Sequence, residues 1–417
     1  MRASPSILTR FSALAVADIS SRGLAFLATY LVVRAFKAEA FGQLGVATSV
    51  VTYALFASTC GLDVYAVRNI ARLPTSIGAT ASTIMAIRSL LGVVAYLVLL
   101  GVCWSLPQLR PILPLVSLFG LTLFSRALSL IWVPQALQRT HALAMASVST
   151  SVLYLLGVIL VTTTHRPLWT VPLAQVTAEV IVALGLYRWL RRTAGGLAAP
   201  AKMATWKRIL RDSAPIGGSS FLRTVALGSD LVLLQLFLVH DAQIGWYNGA
   251  SRIFGLMMGL SSVYSTILFP RLSQKATQSR DVFRSEALGS IVRVLPFAGT
   301  ALVGVAFLAP FALQLLFAPS FAGAANALRI LGFAAFINLI SNHFRNMLLA
   351  TDRQQIDLRN SAITAFVHVA CKAVLIPLVG IEGAAIGTLV GEMSSLLIGL
   401  WSTRADLRVA TVPVRGA

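Results

Sequence analysis

The chain has 417 residues, of which 57% are hydrophobic and 12% charged, with a mean hydropathy of +0.81. Soluble domains carry roughly 25% charged residues, so an ordinary water-soluble globule is excluded. Its 34 lysines and arginines against 14 acids give a formal charge of +20, but no polar stretch approaches the roughly 100 residues a soluble catalytic domain needs.

A bilayer core of about 30 Å is crossed by about 20 apolar residues in a helix. Twelve such segments are predicted, over residues 11–33, 42–66, 83–104, 112–135, 142–163, 168–189, 214–238, 244–269, 288–309, 325–349, 358–379 and 381–402. The fold class this predicts is an all-α polytopic membrane protein with two pseudo-symmetric six-helix bundles. Most connections are short, so successive helices run antiparallel. The first segment carries Asp18 and Arg22 where a cleavable signal peptide needs an uncharged run, which makes it a retained helix.

The longest polar connector is the central one. In it Met203, Trp206, Ile209 and Leu210 share a helical face, while Lys202, Lys207, Arg208 and Arg211 lie on others. That is the pattern of a helix at an anionic inner leaflet. It divides the chain into an N-terminal bundle (1–189), an amphipathic cytoplasmic linker (190–213) and a C-terminal bundle (214–417).

Basic residues fall unequally on the two sides. With the N-terminus inside and sides alternating, 21 arginines and lysines fall on cytoplasmic loops and tails, against Arg34, Lys37, Arg110 and Arg166 outside. Cationic loops resist translocation, so both termini are expected in the cytoplasm, and the excess charge reflects topology rather than nucleic-acid binding. Cys60, Cys103 and Cys371 sit in apolar segments as small packing residues, and the five histidines form no i,i+4 pair, so neither a disulfide framework nor a metal site is expected. No GxxxxGK[ST] occurs and no cofactor is expected.

The halves read as weak copies of one another. "AFGQLGVATS" from Ala40 aligns with "QIGWYNGASR" from Gln243, "QALQRT" from Gln135 with "LLATDR" from Leu348, and Glu179 with Glu392.

The C-terminal succession "SDLVLLQLF", "IGWYNGASRI", "ILFPRLSQ", "LLFAPSFAGAANALRILGF", "NMLLATDRQ" and "IPLVGIEGAAIGTLVGE", with "FGQLGVATS" and "GLDVYAVRNIAR" in the N-terminal half, resembles the polysaccharide biosynthesis flippases, of O-antigen translocase type, of the multidrug/oligosaccharidyl-lipid/polysaccharide exporter superfamily. The resemblance implies a V-shaped inner-membrane transporter. It would move an undecaprenyl-pyrophosphate-linked oligosaccharide to the outer leaflet by alternating access, for lipopolysaccharide or exopolysaccharide assembly. The lipid-linked oligosaccharide and membrane lipids are its implied partners, with a polysaccharide polymerase and a chain-length regulator suggested as further ones.

Independently, an ionisable group at mid-bilayer costs about 2.5–3.5 kcal/mol on insertion scales and needs a partner or a watery cavity. Eight such groups cannot easily reach the headgroups: Asp18, Arg22, Arg126, Glu179, Arg223, Asp230, Arg252 and Glu392. Arg88, Arg293 and Arg329 lie nearer span ends and read as snorkelling anchors. Asp18 with Arg22, and Arg223 with Asp230, share helical faces, so each acid either neutralises its arginine or leaves it to the cleft between bundles. In the second case Arg22, Arg223 and Arg252, with Arg126, offer guanidinium forks to a pyrophosphate. Asp18, Asp230, Glu179 and Glu392 are then cavity or coupling acids, unless they are structural partners. Asn338, Asn342 and Asn346 recur every four residues, either as interhelical hydrogen-bonding glue or as a sugar-facing stripe.

Two other classes compete. A membrane-embedded glycosyltransferase or polymerase needs carboxylates on a sizeable outer loop, and the outer connectors carry only Glu39, Asp241 and Glu382. A multidrug antiporter of the sister branch favours acids over arginines at mid-depth, and here arginines at least equal them. A non-enzymatic transporter is therefore expected, although sequence alone also allows a scaffold for envelope-polymer assembly.

Overall fold

The computed structural model describes residues 7–72, 77–201, 203–237, 239–276, 278, 280–351 and 353–407. Every regular element among them is helical: α1 Ile7–Thr59, α2 Leu62–Arg72, α3 Ile77–Ser105, α4 Leu113–Gly120, α5 Thr122–Leu128, α6 Trp132–Ala136, α7 Thr140–Thr163, α8 Thr170–Ala194, α9 Met203–Leu236, α10 Asp241–Ala276, α11 Arg280–Leu316, α12 Ala325–Ala350 and α13 Gln354–Leu407, with 3-10 turns at Pro107–Ile112 and Pro319–Ala324.

Eight described helical stretches are long and apolar enough to cross a membrane. With the breaks in α1 and α13 counted they cover ten of the twelve predicted spans, and α9 and α10, which are not among the eight, cover the other two. α1 has 53 residues, roughly 80 Å at about 1.5 Å per residue, far more than one crossing needs. It breaks at Lys37, whose φ of 63° leaves the helical region, between the first two predicted spans. α13 breaks at Val379 and Gly380 (φ 61°), between the last two. α9 and α10, of 34 and 36 residues, cover the seventh and eighth. The fourth predicted span is not one helix: Pro114 stands in the first turn of α4, and the segment proceeds as α4, α5 and α6. The chain is a multi-pass membrane protein. Its outward-facing Leu97, Leu160, Val292, Phe307, Phe366 and Leu397 are exposed, which suits a surface solvated by acyl chains.

Two compact units form, residues 1–224 and 225–417. In the first, Leu62, Ala66 and Ile70 recur every four residues along α2 and pack with Ile77, Ala81, Ile84 and Ile87 of α3, Trp132 and Val133 of α6, and Leu186 and Leu190 of α8. Ile209 belongs to the same core, with Trp206 and Leu210 packed against it, while Lys207, Arg208 and Arg211 are exposed. The predicted linker helix is therefore continuous with the seventh span, and its apolar face meets protein from Trp206 onward, while Met203 at its start is exposed. Lys202 lies outside the described residues. The contact is close because Gly61 (φ 72°) approaches the backbone of Ser213 and Gly217; a Cβ there would meet Ser213 O at 2.6 Å and Gly217 N at 2.7 Å.

In the second unit α13 folds back on itself. Gly383, Gly387 and Gly391 lie one turn apart on its second arm, and a Cβ on them would overlap Leu375, Lys372 and His368 of the first arm. Asn360 Nδ2 donates to Ser402 Oγ at 3.0 Å farther down the same pair. A small residue every fourth position lets two helices approach to backbone contact, and here it seats two titratable side chains directly on the opposing arm.

Candidate functional site

Four of the eight mid-membrane charges fall into networks, Arg126 with Glu179 in an open one in the first unit and Asp230 and Glu392 in a sealed one in the second. In the first unit α5 carries Ser125 and Arg126 towards α8. Glu179 Oε1 accepts from Arg126 Nε at 3.1 Å, its other oxygen accepts from Ser125 Oγ at 2.5 Å, and Gln175 Nε2 lies 3.4 Å from Oε1. Glu179 is buried, whereas 55% of the Arg126 side chain is exposed.

Arg126 opens into a cavity of about 360 Å³ lined also by Thr52, Ser58, Thr59, Asp63 and Arg88. Arg88 Nη1 donates to Asp63 Oδ1 at 2.8 Å. Only 6% of the Arg88 side chain is exposed, which corrects its reading as a snorkelling anchor: its partner lies across the helix packing, on α2, and holds the guanidinium inside. The cavity thus has two guanidiniums and one carboxylate on its wall, with Glu179 behind Arg126. Low-dielectric walls strengthen the field of such groups on an anion.

Asp18 and Arg22 form an ion pair, the first of their two readings, Nε to Oδ2 at 2.8 Å, with both side chains about half exposed. Arg223 is half-buried on α9 and Arg252 is exposed on α10. Asp230 does not take its cation from its own helix face. Its ion-pair partner is Lys372 on the first arm of α13, which is fully buried. Lys372 was not among the eight mid-depth groups read from the sequence, although it stands within the predicted span 358–379. The carboxylate also accepts from Tyr247 Oη at 2.5 Å and Thr388 Oγ at 3.5 Å. One turn along each arm of the hairpin, His368 Nε2 lies 3.8 Å from Glu392 Oε1.

The asparagine stripe is occupied by its neighbours. Asn338 Nδ2 donates to Glu392 Oε2 at 3.0 Å, and Ser341 Oγ lies 3.4 Å from the same oxygen. Asn342 Nδ2 donates to Ser261 Oγ on α10 and to Asn338 Oδ1, each at 3.0 Å. Asn338 and Asn346 are buried. Asn338 and Asn342 thus join α10, α12 and α13, as the interhelical reading of the stripe expects, whereas Asn346 Nδ2 is buried without a hydrogen-bond partner among the described residues. Beside it, Tyr264 Oη and His343 Nδ1 are 3.1 Å apart.

Among the described residues no three His, Cys, Asp or Glu side chains could hold a metal ion, and the three cysteines are unpaired.

Comparison with solved structures supports a transporter fold throughout the chain. A lipid II flippase, MurJ, in an inward closed conformation is similar with a TM-score of 0.77 at 14% identity, covering 96% of this chain and 89% of that one. An inward-facing multidrug resistance MATE family transporter of the MOP superfamily has a TM-score of 0.75 at 17% identity, covering 97% and 98%. A MOP-superfamily transporter from Pyrococcus furiosus, described as having a binding pocket of reversed polarity, has a TM-score of 0.57 at 15% identity, covering 96% and 94%. These neighbours are transporters and a flippase, not enzymes. No curated protein matches the sequence. The polysaccharide biosynthesis protein family matches residues 7–276, which makes this multi-pass chain a member of that family, with the fold that those solved structures share.

Proposed function

We propose that the protein flips an undecaprenyl-pyrophosphate-linked oligosaccharide from the inner to the outer leaflet of the cell inner membrane by alternating access, with both termini cytoplasmic. The observation that carries this reading is the cavity of the first unit, where the guanidiniums of Arg88 and Arg126 outnumber the single lining carboxylate, Asp63. A guanidinium presents a planar fork of donors matched to phosphate oxygens, and Arg126 is the exposed member of its pair. Arg22, Arg223 and Arg252 are further candidate donors to an anionic headgroup. Each guanidinium has a carboxylate partner, but in the Arg126 pair it is the guanidinium that is exposed while Glu179 is buried, and this favours a lipid-linked anion over the cationic cargo of a multidrug antiporter. The surface polysaccharide so assembled is lipopolysaccharide or exopolysaccharide, and a polymerase and chain-length regulator are the proposed partners after export.

Deletion of the gene tests this. The expected result is accumulation of one lipid-linked glycan on the inner leaflet, with loss of the corresponding surface polymer. Unchanged surface glycan and unchanged lipid-linked pools would refute it.

A further inference from the structure

The first unit has a second cavity, of about 840 Å³ against about 360 Å³ for the arginine-lined one, and the two share no lining residue. It lies between α7 and α8. Near one end of this antiparallel pair the helices touch, since a Cβ on Gly157 would come within 2.7 Å of Ala174 Cβ. Toward the other end they part, and a Cβ on Gly185 would meet nothing within 4 Å. The cleft so opened has apolar walls, from Met145 and Leu153 on α7 and from Ile181 and Leu186 on α8. Met145 and Ile181 are exposed, as are Leu156 and Leu184 on the same hairpin, so the cleft opens sideways through a surface that suits acyl chains. An empty cleft would forfeit dispersion contacts along both walls, and water would find few polar partners between them. A hydrocarbon chain from the bilayer fills it best.

The wide end of the cleft has a different chemistry. Arg139, from the turn before α7, lines it with His141 and with Trp189 of α8, and both Arg139 and His141 are exposed. Arg188, Arg191 and Arg192 follow at exposed positions near the end of α8. No Asp or Glu occurs in the sequence between Asp63 and Glu179, or between Glu179 and Asp212, so no nearby acid in the chain opposes these cations. Tryptophan favours the depth of the lipid headgroups, and arginines at that depth attract anionic ones. An apolar trough that ends at a cationic mouth matches a single anionic phospholipid, tail and phosphate together.

We infer that this cleft binds one anionic phospholipid of the bilayer, with an acyl chain between α7 and α8 and the phosphate at Arg139. Under the orientation proposed above, that lipid comes from the inner leaflet. Bulk phospholipid surrounds the cleft in excess of any polyprenyl-linked cargo, and the cleft is separate from the cavity that holds Arg126. The lipid fills the splay between the helices and so braces α8, the helix that carries Glu179. A ligand that binds only the folded chain raises its stability by mass action.

Thermal unfolding of the full chain, purified in detergent and stripped of lipid, tests this with four added probes: dioleoyl phosphatidylglycerol, dioleoyl phosphatidylcholine, glycerol 1-phosphate and undecaprenyl phosphate. Phosphatidylglycerol should raise the midpoint and half-saturate at about fivefold lower concentration than phosphatidylcholine, as one arginine at the headgroup provides. Glycerol 1-phosphate, which has no chain, should not shift it. Arg139→Gln should equalise the two phospholipids while both still act. Gly185→Leu places a side chain in the open cleft and should lose most of the phosphatidylglycerol shift. Its midpoint without lipid should lie at or above that of wild type, because leucine is the better helix former. Equal action of the two phospholipids on wild type would overturn the inference, as would an undiminished phosphatidylglycerol shift in Gly185→Leu. A larger shift from undecaprenyl phosphate than from phosphatidylglycerol, lost in Gly185→Leu, would give the cleft to the cargo and overturn the phospholipid as occupant. None of these readouts needs glycan export, so failure of the flippase reading would leave them unchanged.

Discussion

The two units place a carboxylate in corresponding positions and use it differently. Ser125 meets Glu179 across 54 residues, and Asn338 meets Glu392 across the same 54. In the first unit the neighbouring guanidinium of Arg126 shares the acid and stays more than half exposed beside a cavity. In the second, amide, hydroxyl and imidazole groups close over Glu392, and its neighbour Asp230 is sealed beneath Lys372. The same scaffold thus leaves charge reachable on one side and hides it on the other. Reachable arginine suits a substrate headgroup, and the hidden acids tie α9, α10, α12 and α13 to one another.

If that contrast is right, disturbing the sealed network should cost most. Lys372→Ala leaves the Asp230 carboxylate buried without its cation, and loss of one partner of a buried pair costs about 3–5 kcal/mol. The expected outcome is a large fall in monodisperse yield and in thermal midpoint in detergent, recovered when Asp230→Asn is added. Gly391→Ala comes next. Its new methyl would overlap the His368 ring, and overpacking costs about 1–3 kcal/mol. A lower thermal midpoint with unchanged helix content is the expected signature, and an unchanged midpoint would show that the hairpin arms are looser than described. Ser261→Ala removes hydrogen bonds with Asn338 and Asn342, each worth about 0.6 kcal/mol within membranes, so its midpoint should fall only slightly. Least affected is the open pair of the first helix: Asp18→Asn with Arg22→Gln should leave stability within about 1 kcal/mol of wild type, as for other exposed ion pairs. Export by that variant then reports on Arg22 alone, free of a folding defect.

The breaks and pairings differ in how far the sequence reveals them. Apolar run length placed the spans, because the bilayer fixes helix length, and the breaks at Lys37 and Gly380 fall in the predicted connections. The Asp18 and Arg22 pair was readable because partners four apart share a helical face. Partners on different helices were not. Arg88 finds Asp63 across 25 residues, and Asp230 finds Lys372 from α13. Such choices depend on which helices pack together, which the periodicity of a single helix does not encode. Gly383, Gly387 and Gly391 were the one available signal, since a small residue every fourth position announces a close helix partner. Those glycines point to the arm that carries Lys372 and His368.

The central claim is that Arg126 serves a ligand and does not merely neutralise Glu179. Export of the lipid-linked glycan by the double variant Arg126→Gln with Glu179→Gln, measured at matched protein level beside Arg126→Lys, tests it most directly. The account predicts that the neutral double variant inserts normally yet loses export, while Arg126→Lys retains part of it, because charge survives and the planar fork does not. Full export by the neutral double variant would contradict it and leave Arg126 a structural partner of Glu179.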